Sequence, residues 1–330
     1  MKRFVNGLDL AGNPLSFGVA NGKFSEGGEG EVFDLQGKTV LPAWYEAHAH
    51  ILPAGLDMLK LNLRECQTPD EVLEAVRAAP EGPGWLHAVQ YDQTKFPGAK
   101  HLTRDDLDRV QAKRPVLLRH SNGHASVANT AALEAAKVSP DVQDPTGGTY
   151  SRDASGRLTG VLLERAHEFV TEAAPAPDLS EMVEAILRSG EAMARDGITS
   201  ATDMMTGRWN LEQELEAYRL AAEKGCKVRL RLYMQWASVF GRKAIDPDRL
   251  RELHAAMDGD DCRISGVKLF SDGAIGSATA AIYGKYATTG GDGQLIYAPS
   301  ELARRISVAD KAGWRIAVHA ICDRATDHVL

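Results

Sequence analysis

The chain has 330 residues, more than one average domain, although a single barrel could use most of that length. Its 38 Lys+Arg against 45 Asp+Glu leave a net charge of −7, and no basic block is present to neutralise phosphates, so nucleic acid is excluded as the main partner. With 44% hydrophobic and 25% charged residues, the composition is that of an ordinary globular protein. No apolar run reaches the length of a membrane span, and the start "MKRFVNGLDLAGN" lacks a signal-peptide core, so no membrane partner is expected. Cys66, Cys226, Cys262 and Cys322 are scattered and form no CxxC pair, which predicts reduced thiols and a cytoplasmic location.

In chain order, the first forty residues mix Gly and Asn with short apolar runs ("FVNGLDLAGNPLSFGVANGKF", "GEGEVFDLQGKTV"). Turn residues at that spacing predict short antiparallel strands, a small β subdomain. The strand-like "KTVLPAW" then leads to "YEAHAHI". An irregular stretch follows, in which "DEVLEAVRAA" and "VANTAALEAAKV" read as helices, "WLHAVQYD" and "PVLLRHS" as strands, and "DPTGGTYSRDASGRLTG" as a loop or hairpin. From about Asp178 the pattern becomes regular. "LSEMVEAILRSGEAMARDG", "LEQELEAYRLAAEKG", "PDRLRELHAAM" and "SELARRISVADKAG" are amphipathic helices. They alternate with the apolar strands "ITSATDM", "KVRLRLYMQ", "ISGVKLFSDG" and "WRIAVHAICD". Such alternation implies an α/β fold with a parallel sheet, a (β/α) TIM-type barrel first and a doubly wound open sheet second. No GxGxxG or GxxxxGK[ST] marks a strand–helix junction, which weakens a nucleotide-binding version.

In such a barrel the reactive groups stand at the C-terminal ends of the strands. Those ends carry His48 and His50, Asp203, Lys268 and His319. Residues i and i+2 of a strand share a face, so the imidazoles of His48 and His50 can converge on one metal ion. Two hydrogen-bonded histidines at a strand end would look the same. Lys268 lies inside an apolar strand, where a lysine is costly unless paired and where burial lowers its pKa. It reads either as a buried or snorkelling salt-bridge lysine, or as a neutral amine able to capture carbon dioxide as a carbamate that bridges divalent metals. His319 alone is an ordinary core histidine. In chain order, however, three strand ends offer His-x-His, Lys and His, a combination much harder to reach by accident.

Five stretches, "GKTVLPAWYEAHAH", "RHSNGHASVANTAAL", "TGVLLERA", "GVKLFSDGAIGSATAAIYGKY" and "AVHAICDRA", together resemble the amidohydrolase superfamily, and within it the metal-dependent hydrolases that include N-substituted formamide deformylases. The resemblance implies a metal-bearing barrel beside a small β-sandwich, residues 1–42 belonging to the sandwich and 43–330 to the barrel. An insertion at about 66–178 would separate barrel strands one and two. It implies His48, His50 and His319 as metal ligands, Lys268 as a carboxylated bridging ligand, and His124 as a pocket histidine that contacts substrate. The implied cofactors are one or two divalent ions, zinc first, and carbon dioxide as the lysine carbamate. Three positions depart from the family pattern. Ala43 and Glu46 stand where Pro-Gly and Asp are usual, Ala278 follows Ser277 where Arg is frequent, and Cys322 replaces a glycine. None of these removes a ligand.

The implied activity is hydrolysis of a non-peptide, amide-type carbon–nitrogen bond in a small molecule by metal-activated water. The alternatives are a catalytically incomplete remnant, or an isomerase or lactonase on the same barrel. A homo-oligomeric state is left open. The family's proton shuttle is an eighth-strand aspartate, and it also uses a sixth-strand histidine. Only eleven residues follow His319, "AICDRATDHVL", and just five barrel strands are counted. Eight units occupy about 250 residues in a typical barrel. The expectation is therefore an incomplete barrel of about five units, with the catalytic aspartate beyond Leu330.

Overall fold

The computed structural model describes residues 1–25, 29–82, 84–145, 148–275, 278–287 and 289–330. Its fifteen strands are β1 (Lys2–Leu8), β2 (Pro14–Ala20), β3 (Lys23–Ser25), β4 (Glu31–Asp34), β5 (Trp44–Ala49), β6 (Leu61–Asn62), β7 (Leu86–Tyr91), β8 (Val116–His120), β9 (Ala125–Ala128), β10 (Gly148–Arg152), β11 (Leu158–Glu164), β12 (Ile198–Thr206), β13 (Arg229–Gln235), β14 (Cys262–Phe270) and β15 (Arg315–His319). They form three sheets.

The first sheet has the order β3-β2-β1-β4. Its hairpins are antiparallel as the turn residues predict, but β4 runs parallel to β1, because the chain crosses to the far side of β1 after Ser25. Among the described residues these four strands make a single layer. Phe4 stacks on Phe17 and Phe33 across it.

The sheet of interest is parallel throughout, in the order β15-β14-β13-β12-β5. Between its strands run the helices Leu179–Arg195, Leu211–Glu223, Pro247–Ala256 and Pro299–Lys311, where the periodicity places them. Asp178 and Glu181 form a capping box that starts the first of these. Apolar stripes from the helices meet Leu230, Leu232 and Val267 of the sheet in one core with Ile51, Ile186, Leu215 and Tyr218. The helix Ile51–Met58, which follows β5, packs so close to Leu179–Arg195 that a Cβ on Gly55 would lie 1.9 Å from the carbonyl oxygen of Ala185. Only glycine permits that approach. Ser189 Oγ adds a hydrogen bond to the Ile51 carbonyl at 2.8 Å.

Between β5 and β12, which pair directly, the chain builds a third sheet of order β10-β11-β9-β8-β7-β6 with its own apolar clusters. Its first strand begins at Leu61, a few residues before the stretch expected to be inserted. Val127 and Ala128, expected to open a helix, instead end the central strand β9, and the helix begins only at Thr130. The reason is local. Asn129 Oδ1 caps the helix at Ala132 N and accepts from Val116 N, ending the strand and starting the helix at one residue. The glycine-rich segment forms the β10–β11 hairpin, with Thr146 and Gly147 outside the described residues. No described helix is long and apolar enough to cross a membrane.

Candidate functional site

Strand β5 ends at Ala49, and His50 stands at the N-terminal boundary of the helix Ile51–Met58, with no capping hydrogen bond from its side chain. The i, i+2 relation holds. The rings of His48 and His50 lie 5.8 Å apart, tilted by 46°. Glu46 folds back on its own strand and accepts the His48 N–H at 2.9 Å, so the residue that departs from the family pattern fixes the backbone of the first histidine. Toward the other edge of the sheet Lys268 pairs in register with Gln235 and Ala317, and Phe270 with His319. The Lys268 ammonium lies 5.2 Å from the centre of the Phe270 ring, which lies 5.4 Å from the His319 ring. The four predicted residues thus share one end of the sheet.

The electrostatics show the same proximity. Burial, then Lys268 and His319, push the His48 pKa down, against a smaller upward pull from Glu46. Burial and then His48, Lys268, Arg208 and His319 do the same to His50. Lys268 is 2% exposed, has no carboxylate in ion-pair reach among the described residues, and is shifted down by desolvation. Each shift favours the neutral form, which carries the lone pair that a metal or carbon dioxide requires. His319 Nε2 donates to the Gly273 carbonyl at 2.9 Å, with Asp272 Oδ1 at 3.6 Å, leaving the lone pair on Nδ1. Such an outer partner is what orients a ligating imidazole. In donor chemistry the residues fit a divalent metal. Among the described residues, however, no group of three or more His, Cys, Asp or Glu side chains is already arranged to hold one. The histidines form an open cluster.

Two buried acids support this cluster, and sequence reading did not find their roles. Asp203, at the end of β12, is 1% exposed. Its carboxylate accepts from Ile51 N at 2.8 Å, from Met205 N and from the Thr206 hydroxyl. Tyr218 Oη accepts from Leu52 N at 3.2 Å. Together they fix the backbone just after His50. Burial raises the Asp203 pKa and these hydrogen bonds oppose the rise. Asp272 accepts from Ala281 N and Ile321 N, both at 3.0 Å, tying the loop after β14 to the loop after β15. Asp203 stood out as a strand-end acid, but nothing in the local sequence shows which amides an acid will find across a fold.

His124 lies elsewhere, in the turn between β8 and β9. Its Nδ1 is 3.0 Å from Glu164 Oε2, and its carbonyl accepts from Glu164 N. No contact among the described residues joins it to the His48–His50 cluster. Ser277, noted for the departure before Ala278, is outside the described residues.

Comparison with known proteins supplies the family. The chain is 31% identical over 312 residues to Protein LONG AFTER FAR-RED 3 of Arabidopsis thaliana, covering 90% of this chain and 52% of that protein. It is 29% identical over 315 residues to N-substituted formamide deformylase of Arthrobacter pascens, covering 92% and 57%. The chain therefore spans about half the length of the curated relatives it matches. An uncharacterized metal-dependent hydrolase of Pyrococcus furiosus has a similar structure, with a TM-score of 0.74 and 25% identity over 99% of this chain and 68% of that one. The sequence profile of the amidohydrolase family matches residues 31–330. With a parallel sheet whose strand ends gather His48, His50, Lys268 and His319, and a profile match over nearly its whole length, this chain belongs to the amidohydrolase family.

Proposed function

We propose that the chain carries the metal-binding part of a hydrolase that cleaves a non-peptide, amide-type carbon–nitrogen bond in a small molecule. The observation that carries this reading is the adjacent pair His48 and His50, both shifted toward the neutral form, at the same sheet end as the buried Lys268 and the half-buried His319, in a member of the amidohydrolase family. His48, His50 and His319 Nδ1 would hold one divalent ion, zinc first, and Lys268 one or a second. A bound metal supplies a water of lowered pKa and polarises a carbonyl. Lys268, which burial shifts toward the neutral amine, would add through Nζ to carbon dioxide. The new N–C bond forms, a proton leaves, and the product is a carbamate whose oxygens are the donors. Asp203 and Tyr218 hold the turn after His50, and Asp272 holds the loops after β14 and β15. His124, steadied by Glu164, is the proposed substrate contact.

In this reading the parallel sheet is part of a TIM-type barrel (43–330) with the β6–β11 sheet inserted, and residues 1–42 belong to a β-sandwich. The proton donor to the leaving amine is not assigned to any residue of this chain. The four unpaired cysteines support a reducing, cytoplasmic setting. A second reading, a chain that binds metal poorly and does not catalyse, draws on the open arrangement of the three histidines. Stripping metal with a chelator and restoring zinc, with hydrolysis of N-substituted formamides as the readout, separates the two. Loss and recovery of activity is expected. Activity that survives stripping contradicts the metal reading, and none under any metal favours the second.

A further inference from the structure

Arg208 lies two residues past β12, at the same end of the parallel sheet as the histidine cluster, and it is one of the charges felt by His50. The loop that presents it is unusually well fixed. Glu214, 1% exposed, accepts from Gly207 N and Trp209 N, both at 2.7 Å, and from Asn210 N at 3.2 Å. Ser238 Oγ donates to the Gly207 carbonyl at 2.8 Å, and Gly207 takes a φ of +92°, which a side chain would strain. A buried carboxylate spent on three loop amides is a costly device for a surface turn. What it achieves is the placement of Arg208 and Trp209.

These two residues line a groove of about 1100 Å³ between the parallel sheet's loops and the inserted sheet, which is room for a small molecule. The other cations there are mostly committed. Arg119 and Lys60 share Asp57, and Arg114 donates to the carbonyls of Pro80, Gly84 and Trp85. Of the acids, Asp57 is thereby neutralised and Glu181 accepts from Asp178 N in its capping box, which leaves Glu172, an exposed side chain. Arg208 has no carboxylate in ion-pair reach among the described residues. Its guanidinium lies over the Trp209 ring, 5.2 Å from the centre, and the Lys243 ammonium is 3.5 Å from the Arg208 carbonyl oxygen. In a chain of net charge −7, the uncommitted charge of this groove is positive.

We propose that Arg208, which lines this groove at the sheet end that carries His50, is the docking point for a carboxylate on the substrate, so that the molecule taken is an acidic amide whose carboxylate sits at the groove's edge and whose amide extends out of the groove toward His50. The orientation of the amide rests on the functional reading above; the carboxylate site itself does not. Guanidinium–carboxylate pairing through two parallel N–H···O bonds is the chemistry that an arginine on a fixed loop offers.

The test is titration calorimetry on the full chain, metal-stripped, with N-benzoylglycine and its neutral methylamide as probes. The wild type is expected to bind the carboxylate about 10- to 100-fold more tightly than the methylamide. Arg208→Met should erase that preference, and Arg208→Lys should keep part of it. Arg208 is exposed, and unchanged thermal unfolding of both variants confirms that the fold is intact. No carboxylate binding, equal binding of the two probes, or a preference that survives in Arg208→Met overturns the proposal. Metal content of the same preparations is read separately. A chain that binds no metal yet shows the Arg208-dependent preference would overturn the metal reading alone.

Discussion

The parallel sheet and the inserted sheet each carry histidines and treat them in opposite ways. On the helix Arg165–Glu172 that follows the inserted sheet, His167 is 6% exposed, hydrogen-bonded through Nδ1 to Ser126 Oγ at 3.0 Å, and pushed down to about 4 by burial, with Arg119 and His124 adding to the shift. His87, stacked against Trp85, is also held at about 4, by burial and then by Lys60, Arg119 and Arg114. His167 is packed away, and His87 is half-buried against Trp85 in the groove wall. At the mouth of the parallel sheet, His48 and His50 are exposed side chains, depressed by burial and by one another's company with Lys268 and His319. The same residue type is structural where it is enclosed by apolar strands and chemical where strand ends converge. Position in the fold, not the histidine itself, decides its use.

The comparison breaks most directly at its chemical end. Replacing both His48 and His50 with alanine should abolish stoichiometric metal binding, measured by elemental analysis after dialysis, with little loss of stability because both rings are exposed. Unchanged metal content would place the site elsewhere. Next in size is Asp203→Ala, which leaves the buried N–H of Ile51 and the Thr206 hydroxyl without their acceptor. The expected loss is about 3 kcal/mol in denaturant unfolding, with weakened metal affinity in whatever fraction folds. A variant as stable as the wild type would show that the turn after His50 holds itself.

The structural histidines sharpen the other side. A group whose folded pKa is depressed to about 4, against 6.5 unfolded, takes up more protons when the chain unfolds. Its contribution is fully present above pH 6.5 and is lost as pH falls towards 4. For His167 this amounts to about 2–3 kcal/mol across that window. His167→Gln should flatten the fall in stability between those pH values, and an unaltered slope would assign the titration to other groups. The smallest effect is expected at Asp178→Ala, which removes the capping box of Leu179–Arg195 and should cost about 1 kcal/mol without touching metal binding.

Much of the parallel sheet was legible because each strand and helix declares itself by its own period. "LSEMVEAILRSGEAMARDG" followed by "ITSATDM" can be little else, and His-x-His, Lys268 and His319 sit where strand ends are expected. The inserted sheet was harder. Its order depends on pairings between distant segments, and the four-residue β9 carries too short a run to show a period. Glu214 was invisible for a different reason. It is one of three glutamates in "LEQELE" and "LEQELEAYR" reads as a solvated face, so only the fold reveals that this one points inward to hold the Arg208 loop. Candidate ligands announce themselves by chemistry and spacing, whereas the groups that would position them are known only once the backbone is in place.

The central claim is that His48, His50, Lys268 and His319 act as one divalent-metal site. Its most direct test is anomalous diffraction at the zinc edge from crystals of the metal-loaded chain. The account predicts a peak within coordination distance of His48, His50 and His319 Nδ1, with carbamate density extending from Lys268 Nζ. An ordered, metal-loaded structure with the peak elsewhere, or with a bare Lys268 amine facing the metal, would contradict it.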